Sequence, residues 1–315
     1  MSRRLVPGFV LAALLIPPAA ASAAPAPVPS ATVTIRVGHL HGGKAPIYGT
    51  VPVIGSIEPF FPGQKVAVTF YLNSHKLLTR TVGVRRASGE AGAFRAGIVV
   101  RKDGKYAAAA SYAASKELGG DTTVRKSWRV SFPSLHSGEC ANVVKGFKGA
   151  LAKMGYASGG GSCFNGRLGR EVLAYRKVNG MSRTERAAGA LVKDAFGGRG
   201  GYRVRYPNAG EHAEVSLAKQ VLVLAKGDKP FAIYPVSTGK PSTPTITGHY
   251  HFYLRSPGYN SEGMYYSFYW HNGYAVHGYA EVPNYPASHG CVRTFIADQP
   301  RIYYQLNQGE SIFVF

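Results

Sequence analysis

The 315-residue chain changes its pattern of hydrophobic and polar positions twice. From residue 31 to about residue 132, apolar and polar residues alternate in short runs such as TVTIRV, KVAVTFYL and RKSWRVSF. Gly, Pro, Asp and Asn separate these runs. Alternation with a period of two is typical of half-buried strands. The pattern predicts a β domain at residues 32–133.

A β segment of this kind resembles an immunoglobulin-like sandwich, which takes about 100 residues. The segment has no cysteine, so no disulfide between its sheets supports the resemblance. We expect His39, His41 and His75 to lie at its surface and not to bind a ligand.

Between residues 134 and 201 the apolar period becomes helical. In ANVVKGFKGALAKMGY the apolar residues Val143, Phe147, Leu151 and Met154 mark one face of a helix. A second helix fits GREVLAYRKV. A third is predicted to begin at Ser182, where SRTE forms a capping box, and to stop at the Gly pair 197–198. The pattern predicts a small three-helix module at residues 139–200.

Strand-like runs return in the C-terminal part of the chain. They are AEVSL, QVLVLA, FAIYPV, HYHFYLR, MYYSFYW, YAVHG and SIFVF, with one helix near ADQPRIYYQL. The chain is therefore predicted to be multidomain and mainly β, with a β-rich C-terminal domain at residues 212–315. Its many tyrosines are divided between the core and a groove that could grip a peptide or sugar chain.

The N-terminus has the order of an export signal. Arg3 and Arg4 precede about a dozen mostly apolar residues, which are followed by two prolines and small residues up to Ala23. The apolar run is shorter than the about 20 residues that a membrane span needs. We predict a signal peptide at 1–23, a linker at 24–31 and a secreted protein that works outside the cytoplasm, without a transmembrane segment after cleavage.

The formal charge of +21 falls to +19 when Arg3 and Arg4 are removed with the signal. A strongly basic exported chain is expected to attract polyanions. Export disfavours nucleic acid as this partner and favours anionic polymers of a bacterial envelope. The alternative, that scattered lysines and arginines only solvate a large surface, stays open.

The three cysteines suggest one pair and one remaining thiol. Cys140 precedes the first predicted helix and Cys163 follows it, so an oxidising compartment would allow them to pair. Such a bridge would contribute about 3 kcal/mol. Two unpaired thiols are the alternative. Pairing leaves Cys291 as an odd thiol that needs an explanation.

Cys291 lies among residue types that support acyl transfer. It follows Ser288, His289 and Gly290 and is two residues before Arg293. Imidazole and guanidinium groups nearby are expected to lower the pKa of a thiol. Gly290 lets a substrate or a tight turn approach the sulfur, and the flanking amides suit an oxyanion.

Two histidines are candidates for the base. His277 ends a strand-like run that follows the turn pair Asn-Gly at residues 272–273, so it can face the sulfur from a separate strand. We prefer His277 as the base of Cys291. His289 is the second catalytic candidate, and it would orient the loop or line the donor pocket.

These residues belong to an ordered series of motifs. The series is EVSL with QVL at 214–222, YPVSTG at 234–239, TPT with Gly248, HG at 277–278 and SHGCVR at 288–293. Residues 212–315 thereby resemble the catalytic domain of L,D-transpeptidases, the YkuD family of peptidoglycan-modifying enzymes. The resemblance implies Cys291 as nucleophile and His277 as base. It adds Ser288, Gly290, Arg293, Gly278 and Tyr274 as oxyanion-binding or substrate-binding candidates.

The reaction implied by this resemblance needs no metal or other cofactor. The thiol would acylate on the third residue of a peptidoglycan stem tetrapeptide, release D-alanine and pass the acyl group to another stem, forming a 3-3 crosslink. With water as the acceptor the same site would be an L,D-carboxypeptidase. The N-terminal β domain would then be a spacer or a wall-contacting module.

The helical module has a weaker resemblance of its own. It is similar to a small peptidoglycan-binding module in MGY at 154–156, NGRLG at 165–169, AY at 174–175 and NGM at 179–181. The resemblance implies a second contact with the wall.

Three alternative functions are considered, each from a different class of protein. His249 and His251 share a strand face and could join His277 or His289 in a zinc site, although this stretch lacks a carboxylate. A papain-like peptidase is disfavoured because its cysteine precedes its histidine. A non-catalytic wall-binding protein would keep the helical and β modules and tolerate the loss of Cys291.

Overall fold

A computed structural model of the chain describes residues 28–156 and 159–315. The predicted signal peptide and residues 24–27 of the predicted linker lie outside the described residues. Within the described ranges, no helix is both long enough and apolar enough to span a membrane.

The N-terminal domain consists of two sheets with a shared core. Their orders are β1-β3-β7-β6 and β2-β10-β8-β4-β5, with β9 beside β8. Every second residue of β4 or β7 is buried, as alternation predicts, because one face of each sheet covers the core. The strands are β1 (Thr32–Val37), β2 (Lys44–Pro46), β3 (Thr50–Glu58), β4 (Lys65–Leu72), β5 (His75–Gly83), β6 (Arg85–Arg86), β7 (Gly92–Val99), β8 (Gly104–Tyr112), β9 (Asp121–Thr122) and β10 (Lys126–Ser131). The likeness to an immunoglobulin domain stays a prediction.

Helices α1 (Asn142–Lys153), α2 (Gly166–Val178) and α3 (Gly189–Phe196) follow. The structure pairs Cys140 with Cys163, and this disulfide joins the segments before α1 and before α2. The Asn165 side chain caps α2 by accepting from Leu168 N–H at 3.1 Å.

The predicted start of the third helix at Ser182 is wrong. The helix begins at Gly189, and its N-cap residue is Ala188, which makes no side-chain cap. Ser182 accepts from the Arg176 guanidinium through both its carbonyl and its hydroxyl oxygen. The serine therefore closes the turn after α2 instead of capping α3, a competition that such hydroxyls commonly enter.

The C-terminal domain has two further sheets. A five-stranded sheet has the order β13-β12-β11-β19-β14, and a four-stranded sheet has the order β15-β16-β17-β18. Helix α4 (Gln299–Gln305) lies against β16 and β17. The strands are β11 (Glu211–Ser216), β12 (Val221–Lys226), β13 (Lys229–Pro235), β14 (Gly248–His251), β15 (Leu254–Tyr259), β16 (Tyr265–His271), β17 (Tyr274–Tyr279), β18 (Val292–Phe295) and β19 (Ser311–Val314).

The run HYHFYLR, predicted as one strand, is divided between these two sheets. Phe252 N–H donates to Glu310 O beside β19, whereas Tyr253 N–H donates to Tyr269 O in β16. The buried Phe252 ring packs on Phe268 at 4.6 Å between the centroids. The chain thus leaves one sheet and enters the other at this aromatic contact.

The five-stranded sheet is covered on both faces. Val221 and Val223 of β12 belong to the core shared with α2, whereas Leu222 and Leu224 belong to the core shared with the four-stranded sheet. Alternate side chains of a strand point to opposite faces, so β12 is buried from Val221 to Ala225 and exposed at Lys226. The helical module is therefore packed directly on the back of the C-terminal domain.

Candidate active site

The candidate site lies where β17 and β18 run side by side. The two strands are parallel, and His277 is opposite Arg293. Cys291 immediately precedes β18, and its thiol interacts with the backbone of Ala275 in β17. The parallel pairing thus brings the predicted base, the predicted nucleophile and Arg293 together at one end of the four-stranded sheet.

His277 is held as a neutral imidazole. Its ring is buried, with 2% exposed, and Nδ1 lies 3.0 Å from Gly278 O. A carbonyl oxygen only accepts, so Nδ1 carries the proton and Nε2 keeps a free lone pair. The pKa of His277 is lowered to about 4, chiefly by burial; the Gly278 bond opposes this shift, and the charge of Arg293 adds to it. The ring is therefore able to accept a proton at neutral pH.

Cys291 is a half-buried free thiol whose Sγ donates to Gly273 O at 3.4 Å. Burial raises the pKa of this thiol above its usual value, and the Ala275 bond and the Arg293 charge only partly oppose that rise. The sequence-based expectation of a lowered thiol pKa is therefore wrong, because desolvation outweighs the nearby cation. The thiol and the imidazole are both neutral in this site.

The positive charge of Arg293 affects the protonation of both Cys291 and His277. Its guanidinium lies 4.0 Å from the centroid of the Tyr279 ring, and Tyr279 meets the His277 ring edge-on at 5.7 Å. Its charge favours the thiolate of Cys291 and the neutral form of His277. The same charge thus favours loss of the proton from the sulfur and opposes a lasting imidazolium at His277.

The turn before Cys291 is closed by Ser288. Its buried hydroxyl donates to Cys291 O at 2.6 Å and accepts from Gly290 N–H at 3.1 Å. The Gly290 amide is therefore engaged within the turn. Gly290 has φ of +121°, and a Cβ there would lie 2.6 Å from Cε1 of Tyr274. Only glycine fits between the turn and this ring.

The structure places His289 apart from the buried imidazole. The His289 side chain is exposed, and its Nε2 lies 3.2 Å from Lys240 Nζ. Because an ammonium group only donates, Nε2 is the acceptor of this contact. His289 thus lies on the solvent side of the turn, where it links the turn to Lys240.

Residues 237–239 belong to the YPVSTG motif, but the sequence did not indicate a role for them. Ser237 exchanges two backbone hydrogen bonds with Arg293, at 2.9 and 3.0 Å. Thr238 O accepts from the amides of Ala287 and Ser288. The buried Gln220 side chain donates to the Thr238 hydroxyl and accepts from the Thr238 backbone N–H. These contacts fix the turn from the side opposite β17.

Thr294 and Gln299 are two further residues that the sequence did not single out. Both are buried, and Thr294 Oγ1 lies 3.1 Å from His277 O and 2.6 Å from Gln299 Oε1. Gly278 leaves room for Gln299, since a Cβ there would lie 3.0 Å from Cβ of the glutamine. This hydrogen-bonded pair holds the backbone of His277 in place.

The histidines of the alternative zinc site lie on β14, in the other sheet. His249 stacks on Phe313 at 4.3 Å and has Nε2 3.1 Å from Ser311 Oγ, whereas His251 Nδ1 lies 3.1 Å from Gly309 O. Across residues 28–156 and 159–315, no three or more His, Cys, Asp and Glu side chains are grouped to hold a metal ion.

A known family model matches the domain that contains this site. Residues 210–314 match the family model described as the L,D-transpeptidase catalytic domain, YkuD. No match was found among the curated proteins.

Several solved structures are similar to the chain. The L,D-transpeptidase (residues 123–326) of Xylanimonas cellulosilytica is 23% identical, with a TM-score of 0.53 over 58% of this chain and 98% of that one. The L,D-transpeptidase of Stackebrandtia nassauensis is 19% identical, with a TM-score of 0.36 over 59% and 96%. An L,D-transpeptidase of Mycobacterium tuberculosis H37Rv is 17% identical, with a TM-score of 0.31 over 34% and 57%. The first of these shares the fold, and the family match and the fold together identify residues 210–314 as a YkuD L,D-transpeptidase catalytic domain.

Proposed function

We propose that the protein is an exported cysteine L,D-transpeptidase that forms 3-3 crosslinks between peptidoglycan stem peptides. The observation that carries the proposal is the placement of a half-buried free thiol, Cys291, directly before β18, and a buried neutral imidazole, His277, on the adjacent parallel strand β17 of the matched domain. Acyl transfer requires a nucleophile and a general base, and a thiol and a neutral imidazole can fill these two roles.

In the first stage, Cys291 Sγ attacks the carbonyl carbon of the third residue of a stem tetrapeptide. Because the free thiol is neutral, its proton passes to Nε2 of His277 as the carbon–sulfur bond forms. The resulting imidazolium then gives this proton to the departing amine of D-alanine. The product is a thioester on Cys291, and the proton count is unchanged.

The oxyanion of this stage needs donors in the nucleophile turn. Gly290 N–H is engaged by Ser288 Oγ, so we assign the Cys291 N–H as the first donor. Amides at such a turn can each lower a barrier by several kcal/mol, about 3 for a single lost donor. The positive charge of Arg293 supports the thiolate character of the sulfur during attack.

In the second stage, the side-chain amine of another stem peptide attacks the thioester carbonyl. His277 Nε2 takes the proton of the amine and returns it to the sulfur as the carbon–sulfur bond breaks. The products are a crosslink between two third-position residues and the free thiol. Water in place of the amine would give an L,D-carboxypeptidase, and no metal or cofactor enters either route.

Export and the upstream domains complete the proposal. The basic exported chain would bind anionic wall polymers, and the helical and N-terminal β domains would contact the wall or set the distance of the enzyme from it. The formal charge of +21, which is +19 once Arg3 and Arg4 are removed, supports this part of the proposal.

The test is incubation of the mature protein with disaccharide tetrapeptide, followed by mass analysis of the products, with Cys291→Ala as the matched control. Dimers with a third-position linkage are expected. Tripeptides alone would assign a carboxypeptidase. Wall binding without conversion of several substrate forms would leave a non-catalytic wall-binding protein and would refute the enzyme.

A further inference from the structure

Two cations of the helical module reach backbone carbonyls of the C-terminal domain. The Arg183 guanidinium donates to Asn284 O through one terminal nitrogen and to Ala218 O at 3.2 Å through the other. The Asn284 side chain donates back to Arg183 O at 3.0 Å. Arg183 and Asn284 are thus bonded in both directions across the domain boundary.

Lys177 makes the second contact from α2. Its ammonium is buried, with 3% of the residue exposed, and donates to Val236 O at 2.8 Å. Burial, followed by the charge of Arg183, lowers the pKa of Lys177 to about 7.

The carbonyls of Asn284 and Val236, which accept from Arg183 and Lys177, belong to residues next to those that hold the turn at 288–291. Asn284 precedes Tyr285, whose carbonyl accepts from Ser237 Oγ at 2.7 Å. Val236 precedes the same Ser237, whose backbone is paired with Arg293. The helical module therefore contacts both chain segments that meet at Ser237, one residue away in each case.

The segment between the strand of His277 and the turn of Cys291 depends on these contacts. Residues 280–287 form neither a helix nor a strand, and much of the segment is exposed, with Tyr285 63% exposed. A segment without the regular backbone hydrogen bonds of a helix or strand takes its position from the groups that are hydrogen-bonded to it. Arg183 bonds the segment on one side, and Ser237 and Thr238 bond it on the other side.

We propose that Arg183 is a positioning residue for Cys291, and that the helical module is a structural part of the active site instead of an independent wall-binding tether. Arg183 touches no reacting atom. It fixes Asn284 and thereby the path of residues 280–287 into the turn at 288–291. This inference rests on the proposed acyl transfer at Cys291.

The geometry also explains why arginine is needed here. One planar guanidinium serves the carbonyls of Asn284 and Ala218 at once. A lysine ammonium carries its donors on one nitrogen at the end of a flexible chain, so it does not reproduce the two contacts made by separate nitrogens of a rigid fork. The conservative substitution Arg183→Lys is therefore expected to restore only part of the function.

The experiment uses the full mature chain with Arg183→Ala, Arg183→Lys and the control Arg186→Ala, since Arg186 is exposed in the same segment. Two quantities are measured, namely kcat and KM for tetrapeptide conversion and the pH profile of iodoacetamide alkylation at Cys291, the one free thiol among the described residues. Alkylation requires no transpeptidase activity, so it tests the positioning even if the proposed reaction fails.

We expect Arg183→Ala to lower kcat about tenfold with KM changed less than about threefold, because the charge-assisted hydrogen bond that holds Asn284 is lost and such a bond corresponds to about tenfold in rate. Its alkylation profile should move along the pH axis, whereas that of Arg186→Ala should match the wild type. Arg183→Lys should lie between the two. Thermal unfolding of each variant shows whether it is folded.

If Arg183→Ala fails to fold, Asn284→Ala replaces it, since this change removes only the return bond to Arg183 O. It should show a smaller effect of the same kind. Wild-type kcat and alkylation profile in whichever of the two variants is folded would overturn the proposal. No turnover by the wild type, with a shifted alkylation profile in the variant, would remove the transpeptidase assignment but keep the positioning role.

Discussion

Gly290→Ala tests the geometry of the nucleophile turn. At φ of +121° an alanine is strained, at a cost of about 1–3 kcal/mol for a residue held in such a region. The added Cβ would also lie 2.6 Å from Cε1 and 3.2 Å from Cδ1 of Tyr274, so the ring or the turn has to move. Taking about 3 kcal/mol in total, we expect acylation to slow about a hundredfold.

The assay is the rate of adduct formation on Cys291 followed by intact mass, with the unfolding temperature as a check on the fold. Gly201→Ala is the matched control, because a Cβ at that position has no heavy atom within 4 Å. In a Tyr274→Ala background the steric part disappears, so Gly290→Ala should cost less there. A Gly290→Ala enzyme within threefold of the control would refute the reasoning.

Arg293→Gln should shift the alkylation profile of Cys291 to higher pH, because the lost charge had opposed the rise of the thiol pKa; an unchanged profile would show that Arg293 does not act on the sulfur. Cys140→Ser should lower the free energy of unfolding by about 3 kcal/mol, measured in urea, since the bridge spans 23 residues, while an equal midpoint with and without reductant would contradict this. Arg170 donates twice to Asp298 across the domain boundary, so a double-mutant cycle on unfolding should give a coupling of about 1–3 kcal/mol, and additive losses would exclude it.

The sequence was sufficient wherever one local pattern decides the outcome. Period-two alternation located β1 and β4, and the motif at 288–293 marked the segment that forms the turn before β18. The family match confirmed the resemblance of the C-terminal domain. These features depend on residues that are neighbours in the chain, so no tertiary contact was needed to predict them.

Other features depend on contacts that the sequence does not display. The direction of the Cys291 pKa shift follows from a competition between burial and Arg293, and only packing determines how much burial there is. Ser182 fits a capping box, yet Arg176 engages it in a turn. The contact of Arg183 with Asn284 joins residues that are 101 positions apart, so no periodicity indicates it.

The covalent intermediate tests the central claim most directly. The mature protein is mixed with disaccharide tetrapeptide, quenched in acid and analysed by intact mass and peptide mapping, beside Cys291→Ala and His277→Gln. We predict a mass increase equal to the donor minus D-alanine on Cys291 of the wild type, none on Cys291→Ala, and a much slower increase with His277→Gln. An adduct that still forms on Cys291→Ala, or forms at an unchanged rate with His277→Gln, would contradict the account.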